Sequence, residues 1–449
     1  MFVSDRCGQN LSAPGPLGWI VGVFLASLVG CAPLAPVAEA PPPAPVVAPD
    51  STVATLARRD DVSRALKHIE RHRYTGLSEL IELTQIPAPP FAEAARGVRF
   101  SELLAATEFG PVHTDDVGNV IAVRPGRRGG RIVAVVAHLD TVFPVGTDVR
   151  VRVEGTRYSA PGIGDNTRGL VLLLELARAM VAADLRADAD IWLVGNVGEE
   201  GLGDLRGVRH LYRDGAPVID SLIAIDGGDA GRIVTDGVGS NRFRVTFTGP
   251  GGHSWGDFGL ANPHHALGSA IDLFTRRAGE VVASGPAASF NVGRIGGGTS
   301  VNSIAFESWM EVDMRSVSED KLAELTAVLE ESMRDAAHEH NDIRRQGDAL
   351  GVMLKPIGRR PAGGVDRSTP LVMHATDALR LVGVEPSYVA SSTDANIPMS
   401  LGLAGITLSR GGRSTRAHSL DESWEDINTH LSTQAALLTV LADARLSDP

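Results

Sequence analysis

Along most of the chain, short apolar runs alternate with longer stretches in which apolar residues recur every three or four positions. That mixture predicts strands and helices in alternation, the pattern of an α/β domain. Strands are expected at residues 120–123, 132–137, 191–197, 221–225 and 405–408, and helices at 169–183 and 428–445. The run Ile132-Val133-Ala134-Val135-Val136-Ala137 has no polar side, as a strand covered on both faces requires. A second pattern occupies residues 241–358. In Ser308-Trp309-Met310-Glu311-Val312-Asp313-Met314-Arg315 the positions alternate, putting Met310, Val312 and Met314 on one face and Glu311, Asp313 and Arg315 on the other. Strands of this kind are expected at 242–248 and 303–315, with helices at 263–278 and 318–338. A sheet wet on one face and backed by helices is a small α+β domain. The larger α/β domain then comes in two parts, 60–240 and 359–449, with 241–358 inserted between them.

A length of 449 residues is more than one core usually organises, in keeping with two domains. The first 59 residues stand apart. Residues 17–30, LGWIVGVFLASLVG, form an apolar run shorter than the roughly 20 residues a membrane-spanning helix needs. It ends in Leu28-Val29-Gly30-Cys31 and resembles a bacterial lipoprotein signal, with Cys31 as the lipidated residue. Residues 1–31 are therefore expected as a signal and the Pro/Ala-rich 32–59 as an extended linker. This implies a lipid anchor in the bacterial cell envelope, at the outer membrane facing the periplasm; simple secretion or an uncleaved anchor is the alternative. Cys7 and Cys31 are the two cysteines, and both precede the body, so a metal in the body needs His, Asp and Glu as ligands. The formal charge of −12 excludes the basic face that nucleic acid binding requires.

Candidate chemistry gathers just beyond the expected strands, where open α/β sheets hold their ligands. His138 and Asp140 follow the first buried strand and point to the same side of extended chain. Asp165 precedes a helix, which it equally suits as an N-cap. Glu199 and Glu200 follow residues 191–197; adjacent carboxylates at the end of a buried strand repel unless a cation or a proton lies between them. Asp226 closes residues 221–225 and also suits a turn, while His418 lies one loop beyond 405–408. Each has an ordinary structural explanation alone. Together they make two histidines and three carboxylates, a nitrogen and oxygen set that suits two divalent ions, zinc first and cobalt or manganese as alternatives.

The stretches AHLDTV, GIGDNTRG, GNVGEEGLGD, AIDGG, GPGGHSWG, GGTSVNSI, EVDMRS and RAHSLDE, in this order, resemble the co-catalytic dizinc exopeptidases and deacylases. That group includes peptidase T, glutamate carboxypeptidase, aminoacylase and succinyl-diaminopimelate desuccinylase. The resemblance spans roughly residues 65 to 445. It implies that His138 and Asp226 hold one ion, Glu200 and His418 the other, and that Asp165 bridges them. Asp140 would orient His138, and Glu199 would be the general base. The inserted domain would be a lid and dimerisation domain of a homodimer. His253 would reach a neighbouring active site, Asn302 and Arg315 would contact substrate, and Gly411 and Gly412 would bring backbone donors to it. The substrate implied is a small peptide, cut by an aminopeptidase or carboxypeptidase. An N-acyl amino acid cut by a deacylase is the alternative, and a catalytically inactive, lipid-anchored binding protein is the reading from another class. His264, His265, His338, His340 and His430 are expected as surface or helix residues, and His113-Thr114-Asp115-Asp116 as a turn.

Overall fold

The computed structural model describes residues 47–228 and 230–447. The expected signal, Cys31 and the linker as far as residue 46 lie outside them. The end of the expected linker is a correction. Thr52–Ala57 is a helix with Val53, Ala54 and Leu56 buried, and Ser51 Oγ caps it by accepting the Ala54 N–H. The Pro/Ala run stops at Pro49, and Val53 and Leu56 are spaced to share one helical face, so this segment joins the core instead of tethering it.

The main sheet has nine strands among the described residues. Its order is Val112–Thr114, Val120–Arg124, Asp190–Asn196, Ile132–His138, Ser221–Ile225, Ala404–Leu408, Arg232–Gly237 and Gly363–Gly364, with Ser387–Ser391 also paired to Arg232–Gly237. Ile132–His138 lies parallel to both Asp190–Asn196 and Ser221–Ile225, and the latter is parallel to Ala404–Leu408. These four strands therefore deliver their carboxyl ends, His138, Asn196, Ile225 and Leu408, to one edge of the sheet. Val133 to Ala137 are at most 1% exposed, because apolar clusters cover both faces of the sheet. Gly169–Ala182 is buried along nearly its whole length, so it forms a core helix and carries Asp165 on the turn before it. Val112–Thr114 is a strand paired with Val120–Arg124. The turn expected at His113 thus starts at Asp115, whose Oδ1 accepts the N–H of Val117, Gly118 and Asn119.

The second sheet is antiparallel, in the order Ala288–Gly297, Glu307–Ser316, Gly239–Thr248 and Gly351–Arg360. Met310, Val312 and Met314 are buried against Pro263–Val282 and Glu319–Asp342 in a core of their own. The strand expected over 303–315 is broken. Ser303–Ile304 turns away to pair with Gly252–His253, and Glu307–Ser316 alone joins the sheet. Two segments link this smaller domain to the main sheet side by side. Gly239–Thr248 follows Arg232–Gly237 after Val238, and Arg360 pairs with Ser240 on the way back. Gly363 then pairs with Gly237.

Candidate metal centre and active site

The five expected ligands converge. His138 Nε2 lies 3.3 Å from Asp165 Oδ1, and His418 Nε2 lies 3.4 Å from Asp165 Oδ2. His418 Nε2 is also 3.0 Å from Glu200 Oε1. Asp165 therefore offers one oxygen to each histidine. His138, Asp165 and Asp226 form one group able to hold a cation, and Asp165, Glu200 and His418 form another. These are the two sets the resemblance implied. A third possible group, His138, Glu199 and Glu200, shares ligands with them.

The residues fit a pair of divalent cations. His138 Nε2 is buried and faces Asp165 Oδ1 at 3.3 Å without the geometry of a full hydrogen bond, and a cation held between the two would satisfy both buried groups. Without a metal the carboxylates draw protons to the histidines instead. His418 is pushed up to about 10 by its hydrogen bonds to Asp165 and Glu200. Burial works against a proton on His138, yet Asp165 and the charges of Asp140 and Glu199 carry it well above its usual value. Asp165 stays far below the carboxylate range: burial opposes this, but Arg410, His138 and His418 prevail.

Asp140 does reach the His138 ring, through its backbone carbonyl. Asp140 does not grip the His138 ring with its carboxylate, whose Oδ1 is 3.7 Å from Nδ1. The Asp140 backbone carbonyl lies 3.0 Å from that nitrogen. The carboxylate instead accepts the backbone N–H of Glu199 at 3.0 Å and of Glu200 at 2.7 Å. It thereby shapes the turn that carries Glu199 and Glu200. Arg96, 1% exposed, donates to the Leu139 carbonyl between His138 and Asp140 at 2.9 Å.

Glu199 is buried and pushed up to about 7, chiefly by that burial, with Arg360 pulling it down and the Glu200 charge pushing it up. Arg360 Nη1 donates to Glu199 Oε1 at 2.9 Å, and its Nη2 to the Glu199 backbone carbonyl. Arg410, 2% exposed, donates to Asp226 Oδ1 at 2.9 Å and Asp165 Oδ1 at 3.2 Å. Glu422 accepts the N–H of Gly162, Gly164 and Asp165 at 2.8–3.0 Å and so fixes the turn holding the shared carboxylate. Asp394 accepts from Asn196 Nδ2 at 2.8 Å, and burial together with the Glu199 charge holds its carboxyl well above the usual range. Sequence reading missed Arg96, Arg360, Arg410 and Asp394 because each is brought in by tertiary folding. Glu422 was within reach, since it ends the quoted stretch RAHSLDE.

A cavity of about 940 Å³ opens over this centre, and Asp165, Glu199, Glu200, Asp226, His418 and Arg315 line it. His253 and Asn302 do not. Both are exposed at the lid pairing of Gly252–His253 with Ser303–Ile304. The His253 Nδ1 accepts the Trp255 N–H at 3.1 Å, and Asn302 Oδ1 accepts from Ser300 Oγ. The expected role of Gly411 and Gly412 is a correction, as neither lines the cavity. The Gly411 N–H donates to Ser409 Oγ at 3.0 Å, and its carbonyl accepts from Trp424 Nε1 at 2.9 Å. Both have positive φ, 78° and 72°, and a Cβ on Gly412 would collide with the Trp424 indole. They are glycines so that the turn can pack on Trp424.

Residues 134–443 match the profile of peptidase family M20/M25/M40. The chain belongs to peptidase family M20/M25/M40. Within this family, carboxypeptidase G2 of Pseudomonas sp. (strain RS-16) is 28% identical over 166 residues, covering 36% of this chain and 39% of that relative. The match thus spans well under half of its length. Aminopeptidase PepT from Bacillus cereus ATCC 10987 superimposes with a TM-score of 0.66 at 20% identity, covering 82% of this chain and 98% of that one. Human carnosine dipeptidase 1 gives 0.65 at 12% identity, over 86% and 100%. These two likenesses are of fold: a mixed-sheet domain with a smaller sheet domain inserted.

Proposed function

We propose that this M20-family chain is a two-metal exopeptidase that hydrolyses small peptides. The observation that carries the reading is Asp165 placed between His138 and His418, with Glu199 buried beside them. His138 and Asp226 would hold one ion and Glu200 and His418 the other, with Asp165 shared; zinc suits this set, with cobalt or manganese as alternatives. When bound, the ions would supply Lewis acidity, easing ionisation of a water and polarising the amide carbonyl.

The chain's own residues supply the rest. Glu199 takes the proton of the attacking water and passes it to the nitrogen of the departing amine. A carboxyl poised near neutrality suits both transfers. Arg360 aims Glu199 by holding its side chain and its backbone together. Arg315 offers a planar fork to a substrate carboxylate. His253 and Asn302, exposed on the lid, would complete the site of a second subunit in a homodimer and steady the oxyanion.

The test is digestion of a peptide library by metal-loaded protein, read by mass spectrometry, with a chelated control. Loss of single terminal residues, abolished by chelation and restored by zinc, cobalt or manganese, is expected. Cleavage that persists in metal-free protein would overturn the reading.

A further inference from the structure

Six arginines line the active-site cavity, at positions 232, 242, 315, 360, 410 and 416. Five are matched by a carboxylate. Arg360 faces Glu199 and Arg410 faces Asp226, each at 2.9 Å, and Arg416 faces Asp421 at 3.0 Å. Arg242 and Arg315 share one partner, Asp313, at 3.1 and 2.7 Å. Two guanidinium groups share that one carboxylate, and Asp204, which also faces Arg242, is itself engaged by Arg209 and the Arg359 N–H, so the lid wall is rich in positive charge.

Arg232 is the sixth. It begins the strand Arg232–Gly237 and pairs in register with Ser387. Its side chain is partly buried and has no hydrogen-bond or ion-pair partner among the described residues. Its Nη1 lies against Gly227, where a Cβ would strike it. Gly227 directly follows the ligand Asp226. A guanidinium therefore lies against the turn that follows Asp226, lining the cavity with its fork of donors unused. Leaving such a group without an anion is unfavourable in a partly desolvated cavity, and its planar geometry matches a carboxylate.

We propose that the cavity holds two carboxylate subsites, one at Arg232 and one at the Arg242–Arg315 pair, and that the substrates are dianionic. The class is a short peptide or N-acyl amino acid with an acidic side chain beside the scissile amide, so that one carboxylate is terminal and the other is the side chain's. This rests on the amide-hydrolase reading above. It adds a second anion site, on the catalytic sheet, to the one on the lid.

The experiment compares Ala-Glu with Ala-Gln, and N-acetyl-Glu with N-acetyl-Gln, for wild-type protein, R232Q and R232K. The expected result is a Glu-over-Gln ratio in kcat/KM of at least about tenfold, falling about tenfold or more in R232Q and less in R232K. A wild-type ratio near one, or a ratio that R232Q leaves unchanged, overturns the proposal while leaving amide hydrolysis intact. If none of these amides is cleaved, the hydrolase reading fails, and the anion site is judged by calorimetric binding of glutarate. Glutarate bound by wild type and weakened at least about tenfold in R232Q supports the site; equal binding refutes it. Circular dichroism and metal content of each variant verify that it is folded.

Discussion

Loading the metal-free protein with zinc should expel about two protons per chain at pH 7, because ligand histidines must be neutral. One proton comes from His418, held protonated up to about 10 by Asp165 and Glu200. The other comes from His138, carried well above its usual value despite burial. Asp165 contributes none, since it is already ionised, and Glu199, pushed up to about 7, adds up to about half a proton as the cations draw it down. One proton displaced at each ion makes the apparent affinity of each rise about tenfold per pH unit through neutrality, or about 100-fold for the pair together. The sign is opposite for the metal-free fold. A raised histidine stabilises it fully below 6.5, and that contribution is lost as the pH rises through about 10. Alkaline solution therefore weakens the chelated protein while it strengthens metal binding. Titration calorimetry at pH 7 in buffers of different ionisation enthalpy gives the proton count directly, and His418→Gln should lower it by one. Release of fewer than one proton per chain, or an affinity flat between about pH 6 and 8, would refute the account of how the empty centre balances its charge.

Four further outcomes are expected. Glu199→Ala should abolish turnover while metal content stays near that of wild type, read by atomic emission; retained activity removes Glu199 from its role as base. In the metal-free chain Glu199 is pushed up to about 7 against the pull of Arg360, so Arg360→Met should move the acid limb of the kcat/KM profile up by about one to two pH units. That limb starts at or below pH 7 in the loaded enzyme, since the cations draw the carboxyl down. Glu422→Gln replaces a charged acceptor of three backbone N–H groups, and should cost about 2 kcal/mol in urea unfolding and about tenfold or more in zinc affinity. For the proposed lipid anchor, Cys31→Ser should release the protein from the membrane fraction; a variant that stays bound there rules out lipidation at Cys31 as the attachment.

The parts of the fold legible in the sequence were those written in local periodicity. The apolar run 132–137 and the alternation through Met310, Val312 and Met314 could each be read without a partner, because burial on both faces or on one leaves a different pattern. The lid strand 303–315 misled because alternation continues past Ile304, whereas the backbone leaves the sheet there to pair with Gly252–His253. The proposed ligands were legible because most lie at or just beyond a strand end, while Asp165 sits on the turn before a buried helix. Their supports were not. Arg360 lies 161 positions from Glu199, and Arg410 lies 245 from Asp165, so nothing local marks either arginine. Gly411 and Gly412 show the reverse error. A glycine pair near a site suggests backbone offered to substrate, yet here the pair yields space to an indole.

Arg360 is the last residue of Gly351–Arg360, the strand by which the chain leaves the lid. The guanidinium that faces Glu199 therefore sits on the strand that returns to the main sheet. Any rotation of the lid that withdraws that strand removes a positive charge from Glu199 and raises its proton affinity. By reciprocity, a proton on Glu199 weakens the Arg360 contact and favours the withdrawn arrangement by the same free energy. With Glu199 as the proposed base, a proton accepted there would weaken the Arg360 contact between the returning strand and the catalytic sheet, and its transfer to the departing amine would restore that contact.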